Sequence, residues 1–493
     1  MALIQVSHLT FGYDGSMENL FDDVSFQLDT DWKLGLTGRN GRGKTTLLNL
    51  LRGMFPYRGR ISSPVLFDYF PFEVPDRTRS AHEVVLTHVP EAEDWRLARE
   101  MSLLDLPAEI LDRPYETLSP GEQGKLLLAA LFLRPGRFLL IDEPTNHLDE
   151  AARRKVSEYL DGKRGYILVS HDRRFLDGCV DHILSITKTR IEVQKGNYST
   201  WLENKERRDR FEQAENDRLK REIGQLTAAA RQTASWSDRT EHSKYRNENL
   251  AGKLDRGYIG HKASKMMKRS KAIVRRREQA AEEKSALLKD IERVDRLMLR
   301  PLEAPKPVLV EASGLSIRYD GRPVFEGLDF TLSRGERIAV CGRNGCGKSS
   351  LLRLVAGEPV PHDGKLLVAG GLILSRVPQD TSALHGRLSD FARDSGVDGS
   401  LFRVVLDKLD VRKSHWDADM RDFSEGQKKK VLLARSLSES AHLYLWDEPL
   451  NYIDILSRGQ VEELILECSP TMLLVEHDSA FIDAVATRRL VIG

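Results

Sequence analysis

Apolar and polar positions alternate over Ile4-Gln-Val-Ser-His-Leu9 and again over Val308-Leu-Val-Glu-Ala312, the period of a strand buried on one face. Each stretch opens a segment that continues into an apolar strand, a glycine-rich loop and a helix carrying Leu47-Leu48 or Leu351-Leu352. Phe138–Ile141 and Tyr166–Val169 are apolar without interruption, as expected of strands in a parallel sheet covered by helices on both faces. The pattern predicts an α/β fold of P-loop topology. Between residues 201 and 300 the period changes: Leu219, Ile223, Leu226 and Ala230 recur at helical spacing, and so do Leu287, Ile291, Val294 and Met298. Narrow seams of this kind suit two helices packed on each other. The stretch from Trp236 to Gly260, rich in Gly, Asn, Ser and Asp, reads as a turn-containing tip. The expected element is a projecting antiparallel helical hairpin with arms over about Glu203–Ser235 and His261–Leu297, each about 50 Å long at 1.5 Å per residue.

The chain repeats itself. Gly38-Arg-Asn-Gly-Arg-Gly-Lys-Thr45 returns as Gly342-Arg-Asn-Gly-Cys-Gly-Lys-Ser349, Leu118-Ser-Pro-Gly-Glu122 as Phe423-Ser-Glu-Gly-Gln427, and Val169-Ser-His-Asp172 as Val475-Glu-His-Asp478. The apolar strand ending in Asp142-Glu143 returns as the strand ending in Asp447-Glu448. Lys44 precedes Glu143 by 99 residues and Lys348 precedes Glu448 by 100, while the serine-to-glutamate interval is 24 in both halves. Matched words at matched intervals define a duplicated domain. The expected organisation is a first domain over 1–200, a helical linker over 201–300 with its tip at about 236–262, and a second domain over 301–493.

The glycine loops carry chemistry. Gly38, Gly41 and Gly43, like Gly342, Gly345 and Gly347, let backbone N–H groups close around phosphates at a helix N-terminus. Lys44 and Lys348 reach the terminal phosphates, and the hydroxyls of Thr45 and Ser349 are suited to Mg²⁺. Asn40, Thr46, Asn344 and Ser350 complete the two loops. Asp142 and Asp447 end apolar strands, where a carboxylate holds Mg²⁺ through water, and Glu143 and Glu448 follow them in position to activate an attacking water.

Ser119, Gly121 and Glu122, with Ser424, Gly426 and Gln427, stand before these acidic pairs in a pattern that resembles the signature motif of ATP-binding-cassette proteins. The resemblance implies two cassettes facing head to tail, with each ATP lying between one phosphate loop and the other signature. One site then joins Lys44, Asp142, Glu143 and His171 to Ser424 and Gly426. The other joins Lys348, Asp447, Glu448 and His477 to Ser119 and Gly121. Asn146-His-Leu-Asp149 and Asn451-Tyr-Ile-Asp454 resemble the family's D-loops, and Tyr13 and Tyr319 its adenine-stacking aromatics. Two departures stand out. The glutamine that helps hold Mg²⁺ in the family is matched by Gln379, but Phe72 occupies its place in the first half, and Pro120 replaces the first signature glycine. Both sites are expected to bind ATP and to hydrolyse it at unequal rates.

Charge changes the picture only in the linker. The whole chain of 493 residues carries a net charge of +1, yet residues 201–300 hold 26 Lys and Arg against 17 Asp and Glu. From Arg256 to Arg277 there are nine basic residues and no acid. A charge run is commonly a solvated face. Here Tyr258 and His261 lie beside Lys262, Lys265, Lys268 and Arg269, a mixture suited to structured RNA, where phosphate, 2′-hydroxyl and stacking contacts dominate. Two cassettes joined by a basic helical linker resemble the ABC-F family, and the wording Leu445-Trp-Asp-Glu-Pro-Leu-Asn451 resembles its antibiotic-resistance, Lsa-type branch. That resemblance implies a ribosome partner (23S rRNA and P-site tRNA), protection against lincosamides, pleuromutilins and streptogramin A, ATP and Mg²⁺ as cofactors, no membrane permease, and a monomer whose own cassettes pair. The N-terminus lacks the basic and apolar regions of a secretion signal. Cys179, Cys341, Cys346 and Cys468 show no zinc-type pairing. A cytoplasmic location is expected.

Overall fold

The computed structural model describes residues 2–13, 19–146, 148–187, 190–246, 299–319, 322–409, 411 and 415–492, with isolated positions between 272 and 279. It divides into two compact units, Met1–Trp201 with Asp295–Gly493, and Leu202–Val294. The first unit contains both halves of the repeat.

In each half a three-stranded antiparallel sheet lies beside a mostly parallel one. The first half orders its small sheet Phe21–Asp29, Leu3–Phe11, Arg58–Ser62. Its large sheet runs Leu66–Phe70, Arg137–Asp142, Tyr166–Val169, Lys33–Thr37, His182–Ile186, Ile191–Lys195, and only the last pair is antiparallel. The second half orders its small sheet Arg322–Ser333, Val308–Tyr319, His362–Val368. Its large sheet is parallel throughout: Leu374–Val377, Leu443–Asp447, Met472–Val475, Arg337–Cys341, Arg488–Val491.

The unbroken apolar runs follow from burial on both faces. In Leu443–Asp447, Leu443 and Leu445 enter a core shared with the helix Lys348–Val355 and the antiparallel sheet, whereas Tyr444 and Trp446 enter a second core with Phe402, Leu433 and Met472. Trp446 is fully buried, and its indole N–H donates to Ser436 Oγ at 2.8 Å, satisfying the one polar atom that burial would otherwise penalise. In both halves the glycine loop leaves an inner strand with a parallel neighbour on each side, Tyr166–Val169 and His182–Ile186 in the first half and Met472–Val475 and Arg488–Val491 in the second. The loop therefore stands at the carboxyl ends of the parallel strands, where open α/β sheets form their crevices.

The linker differs from its reading in one respect. A single helix spans Tyr198–Arg246, 49 residues, or about 70 Å at 1.5 Å per residue. It therefore continues past Ser235 through the first part of the expected tip. The segment Trp236–Arg246 contains no glycine or proline, and Gly252, Gly257 and Gly260 all come later. Ser and Asp inside a helix cost only a few tenths of a kcal/mol each, roughly, and do not by themselves end it. Tyr198 and Trp201 anchor the first turn, buried with ring centroids 5.4 Å apart, and Asn197 Oδ1 accepts from the backbone N–H of Thr200 at 3.1 Å. The second arm and the rest of the tip, with Tyr258, His261, Lys262, Lys265, Lys268 and Arg269, lie outside the described residues.

Candidate nucleotide sites

Both phosphate loops have the same backbone. Gly43 and Gly347 adopt φ of 88° and 93° as N-caps of the helices Lys44–Leu51 and Lys348–Val355. A Cβ on Gly43 would also lie 2.7 Å from Leu20 Cδ2, so both backbone and space require glycine there. The Lys44 ammonium donates to the carbonyls of Gly38 at 2.8 Å and Arg39 at 3.3 Å and to Asn40 Oδ1 at 3.2 Å. Lys348 donates likewise to Gly342 at 2.8 Å and Arg343 at 3.0 Å. Tyr13 and Tyr319 stand at the loop mouths, half-exposed, with hydroxyls 2.7 Å from Thr46 Oγ1 and 3.0 Å from Ser350 Oγ.

Asp142 and Asp447 end their strands beside the loops, and the next residue in each half is strained. Glu143 and Glu448 have φ of 52° and 49°, a left-handed conformation that costs a non-glycine residue roughly 1 kcal/mol or more and clusters at functional sites. Their N–H groups donate to Val169 and Val475, each at 2.9 Å, which pins the turn. Histidines face both carboxylates: His171 Nε2 and Glu143 Oε1 are 3.2 Å apart, as are His477 Nε2 and Glu448 Oε1.

The electrostatics of the two glutamates diverge. Burial and the adjacent Asp142 push Glu143 up to about 8, against the pull of Arg458 and Lys44. Burial raises Glu448 too, but hydrogen bonds from His477 and Asn451 (Nδ2 to Oε2, 2.6 Å) and the charge of Lys429 hold it below its usual value. Burial also pushes Asp447 up to about 6, opposed by the hydroxyl of Ser349. Asp447 Oδ1 is buried with no hydrogen-bond partner, and Ser349 Oγ donates to Gln379 Oε1 at 3.4 Å. A hydroxyl, a carboxylate with an orphan oxygen and an amide carbonyl form a donor set that fits a hard cation such as Mg²⁺.

The two halves meet head to tail. A cavity of about 800 Å³ is lined by Lys348, Ser349, Gln379, Glu448 and His477 from one half and by Ser119, Pro120, Gly121 and Glu122 from the other. Ser119 caps the helix Pro120–Leu131, and Ser424 caps Glu425–Ser438, each in a capping box with Glu122 or Gln427. Pro120 falls at the first helical position, where its fixed φ fits and no N–H is needed. At the Lys44 loop, Asn40 Nδ2 donates to the carbonyl of Tyr452 at 2.8 Å, and Tyr452 packs so closely on Gly426 that a Cβ there would lie 2.9 Å from its own Cβ. Arg153 ties Asp172 (3.3 Å) in its own half to the carbonyl of His477 (3.3 Å) in the other, and Arg458 binds Asp478 at 3.2 Å.

The missing glutamine has a visible outcome. Phe72 packs its ring 4.0 Å from that of His88, and the Tyr69 hydroxyl donates to Asp142 Oδ2 at 2.9 Å instead. Sequence reading passed over Tyr69, Lys429 and the two arginines, because none belongs to a motif word.

Two glycine cradles, each with an acidic pair and each facing the other half, define a tandem P-loop ATPase. Residues 21–146 and 325–451 match the ABC transporter family. The ribosome protection protein VmlR of Bacillus subtilis (strain 168) is 26% identical over 98% of this chain and 85% of its own length. The energy-dependent translational throttle protein EttA of Haemophilus influenzae is 25% identical over 96% and 89%. Among solved structures, the archaeal ribosome recycling factor aABCE1 matches with a TM-score of 0.64 at 20% identity, over 98% of this chain and 87% of that one, a likeness of fold. The chain belongs to the ABC transporter family, as an ABC-F ATPase with two cassettes. It binds and hydrolyses ATP. Among the described residues no helix is long and apolar enough to cross a membrane.

Proposed function

We propose that this chain is a cytoplasmic, ribosome-associated ATPase that protects the peptidyl-transferase centre from antibiotics by ATP-dependent closure of its cassettes. The observation that carries the reading is the composite cavity in which Ser119 and Gly121 of one half confront Lys348, Ser349 and Glu448 of the other. A nucleotide lying there would touch both halves, so its arrival favours the closed arrangement and its hydrolysis releases it. Lys44 and Lys348 bind the terminal phosphates, Glu143 and Glu448 orient the attacking water, His477 holds Glu448 through its hydrogen bond, and His171 faces Glu143 from 3.2 Å. Ser119 and Ser424 bring helix N-termini to the γ-phosphate. Tyr13 and Tyr319 offer rings to adenine. Thr45 with Asp142, and Ser349 with Gln379 and Asp447, would hold Mg²⁺, which screens phosphate charge when bound.

The basic linker, a domain of its own between the cassettes, is the part assigned to 23S rRNA and P-site tRNA, through Tyr258, His261, Lys262, Lys265, Lys268 and Arg269. No permease partner is needed, and a monomer suffices. The deciding experiment has two readouts. With Glu143→Gln and Glu448→Gln combined, the protein should co-sediment with ribosomes in ATP; failure to do so overturns ribosome association. Expression in a susceptible bacterium should raise the inhibitory concentrations of lincosamides, pleuromutilins or streptogramin A. The similar identity to EttA favours a second reading, a translation factor without a drug role, and an unchanged drug panel with intact co-sedimentation would select it.

A further inference from the structure

The strands that flank the two acidic pairs carry different residues at one register position. Tyr69 pairs with Leu140 and Arg376 with Leu445, each two residues before the strand-ending aspartate. Arg376 turns away to Glu358. Tyr69 turns toward the site, where its hydroxyl donates to Asp142 Oδ2 at 2.9 Å, the same oxygen that accepts from Thr45 Oγ1 at 3.0 Å. The ring is clamped from outside by the Arg52 guanidinium, 4.6 Å from its centroid, and packs against the core beneath the phosphate loop. Among the described residues of the second half no tyrosine takes this place, and the hydroxyl that meets Asp447 is that of Ser349. Asp447 Oδ1 stays unpartnered there, and Gln379 stands beside Ser349 instead.

We infer that Tyr69 is the positioning residue of the Lys44 site: its phenol orients the Asp142 carboxylate for a divalent cation, whereas the Lys348 site has Gln379 beside Ser349 as a further cation-side oxygen. This rests on the reading of Thr45 and Asp142 as cation-side oxygens. A partner that fixes the orientation of a metal-side carboxylate matters because its loss lowers metal affinity about 10- to 100-fold. Phe72, packed on His88, leaves Tyr69 as the group from this strand that touches Asp142.

The test uses the full chain carrying Lys348→Ala, so that only the Lys44 site loads. Mn²⁺ binding is followed by electron paramagnetic resonance with a non-hydrolysable ATP analogue. Tyr69→Phe should weaken Mn²⁺ binding about tenfold while leaving analogue affinity in EDTA and the melting temperature unchanged. Phe72→Gln added to Tyr69→Phe should recover part of the loss. Unchanged or tighter Mn²⁺ binding in Tyr69→Phe, or an equal loss of analogue affinity in EDTA, overturns the inference. Asp142→Asn separates the two levels. If it abolishes Mn²⁺ binding while Tyr69→Phe does nothing, only the role of Tyr69 falls. If Asp142→Asn is also silent, the cation-side reading falls as well.

Discussion

The ammonium of Lys429 donates to the carbonyl oxygen of Asp447 at 3.2 Å and to that of Pro378 at 2.8 Å. Lys429 lies on the second turn of Glu425–Ser438, the helix whose cap Ser424 is assigned to the Lys44 site. One buried side chain therefore ties the signature of one site to the acidic strand and the Gln379 loop of the other. The matching position of the first half is Gly124, which faces open space, so the tie runs one way. Lys429→Met should take the ammonium donor from the buried carbonyl of Asp447 and the part-buried one of Pro378, at about 1–3 kcal/mol in all. Urea denaturation should show a loss of that order; a loss within about 0.5 kcal/mol, as for a surface change, refutes the tie.

The glutamates should not be equivalent in turnover. Glu448 is held as a carboxylate by His477 and Asn451, whereas burial keeps Glu143 up to about 8. Glu448→Gln should remove the larger part of steady-state ATPase activity and Glu143→Gln the smaller. Equal losses would count against this asymmetry.

The raised Glu143 also predicts a pH dependence for the nucleotide-free protein. Between its unfolded value of 4.5 and its folded value of about 8, the folded state binds more protons than the unfolded state. Stability from this group therefore falls as pH rises through that window. Glu143→Gln removes the penalty, so its melting temperature should gain on the wild type between pH 6 and pH 8. A constant gap would show that the site relaxes to solvate the carboxylate.

Head-to-tail sharing makes a crossed prediction for the caps. Ser119→Ala should impair nucleotide retention at the Lys348 site, and Ser424→Ala at the Lys44 site, beyond the roughly 1 kcal/mol each cap gives its own helix. In double variants, Ser119→Ala should add little to Lys348→Ala but should add fully to Lys44→Ala. Additivity in both pairs would mean that each signature serves its own half.

Much of this was legible in the chain because phosphate loops are local: Gly38 to Lys44 encode their own backbone, and the apolar runs around Phe138 and Leu443 encode two-faced burial. The bond between Tyr69 and Asp142 was not, since it spans 73 residues and depends on strand register. Lys429 was not either, because nothing in Lys428-Lys429-Lys430 marks which ammonium meets the carbonyls of Asp447 and Pro378, and only packing decides it. The start of the tip at Trp236 was not legible because Ser237 and Asp238 favour turns on average, whereas the helix Tyr198–Arg246 runs through them.

Covalent duplication has a consequence of its own. Identical subunits pairing about a twofold axis must present the same residues at both composite sites, so any specialisation of one is imposed on its twin. Here the halves are written separately, and a tyrosine can arise at residue 69 without appearing at residue 376. One pocket is thereby free to become a holding station while the other remains the engine.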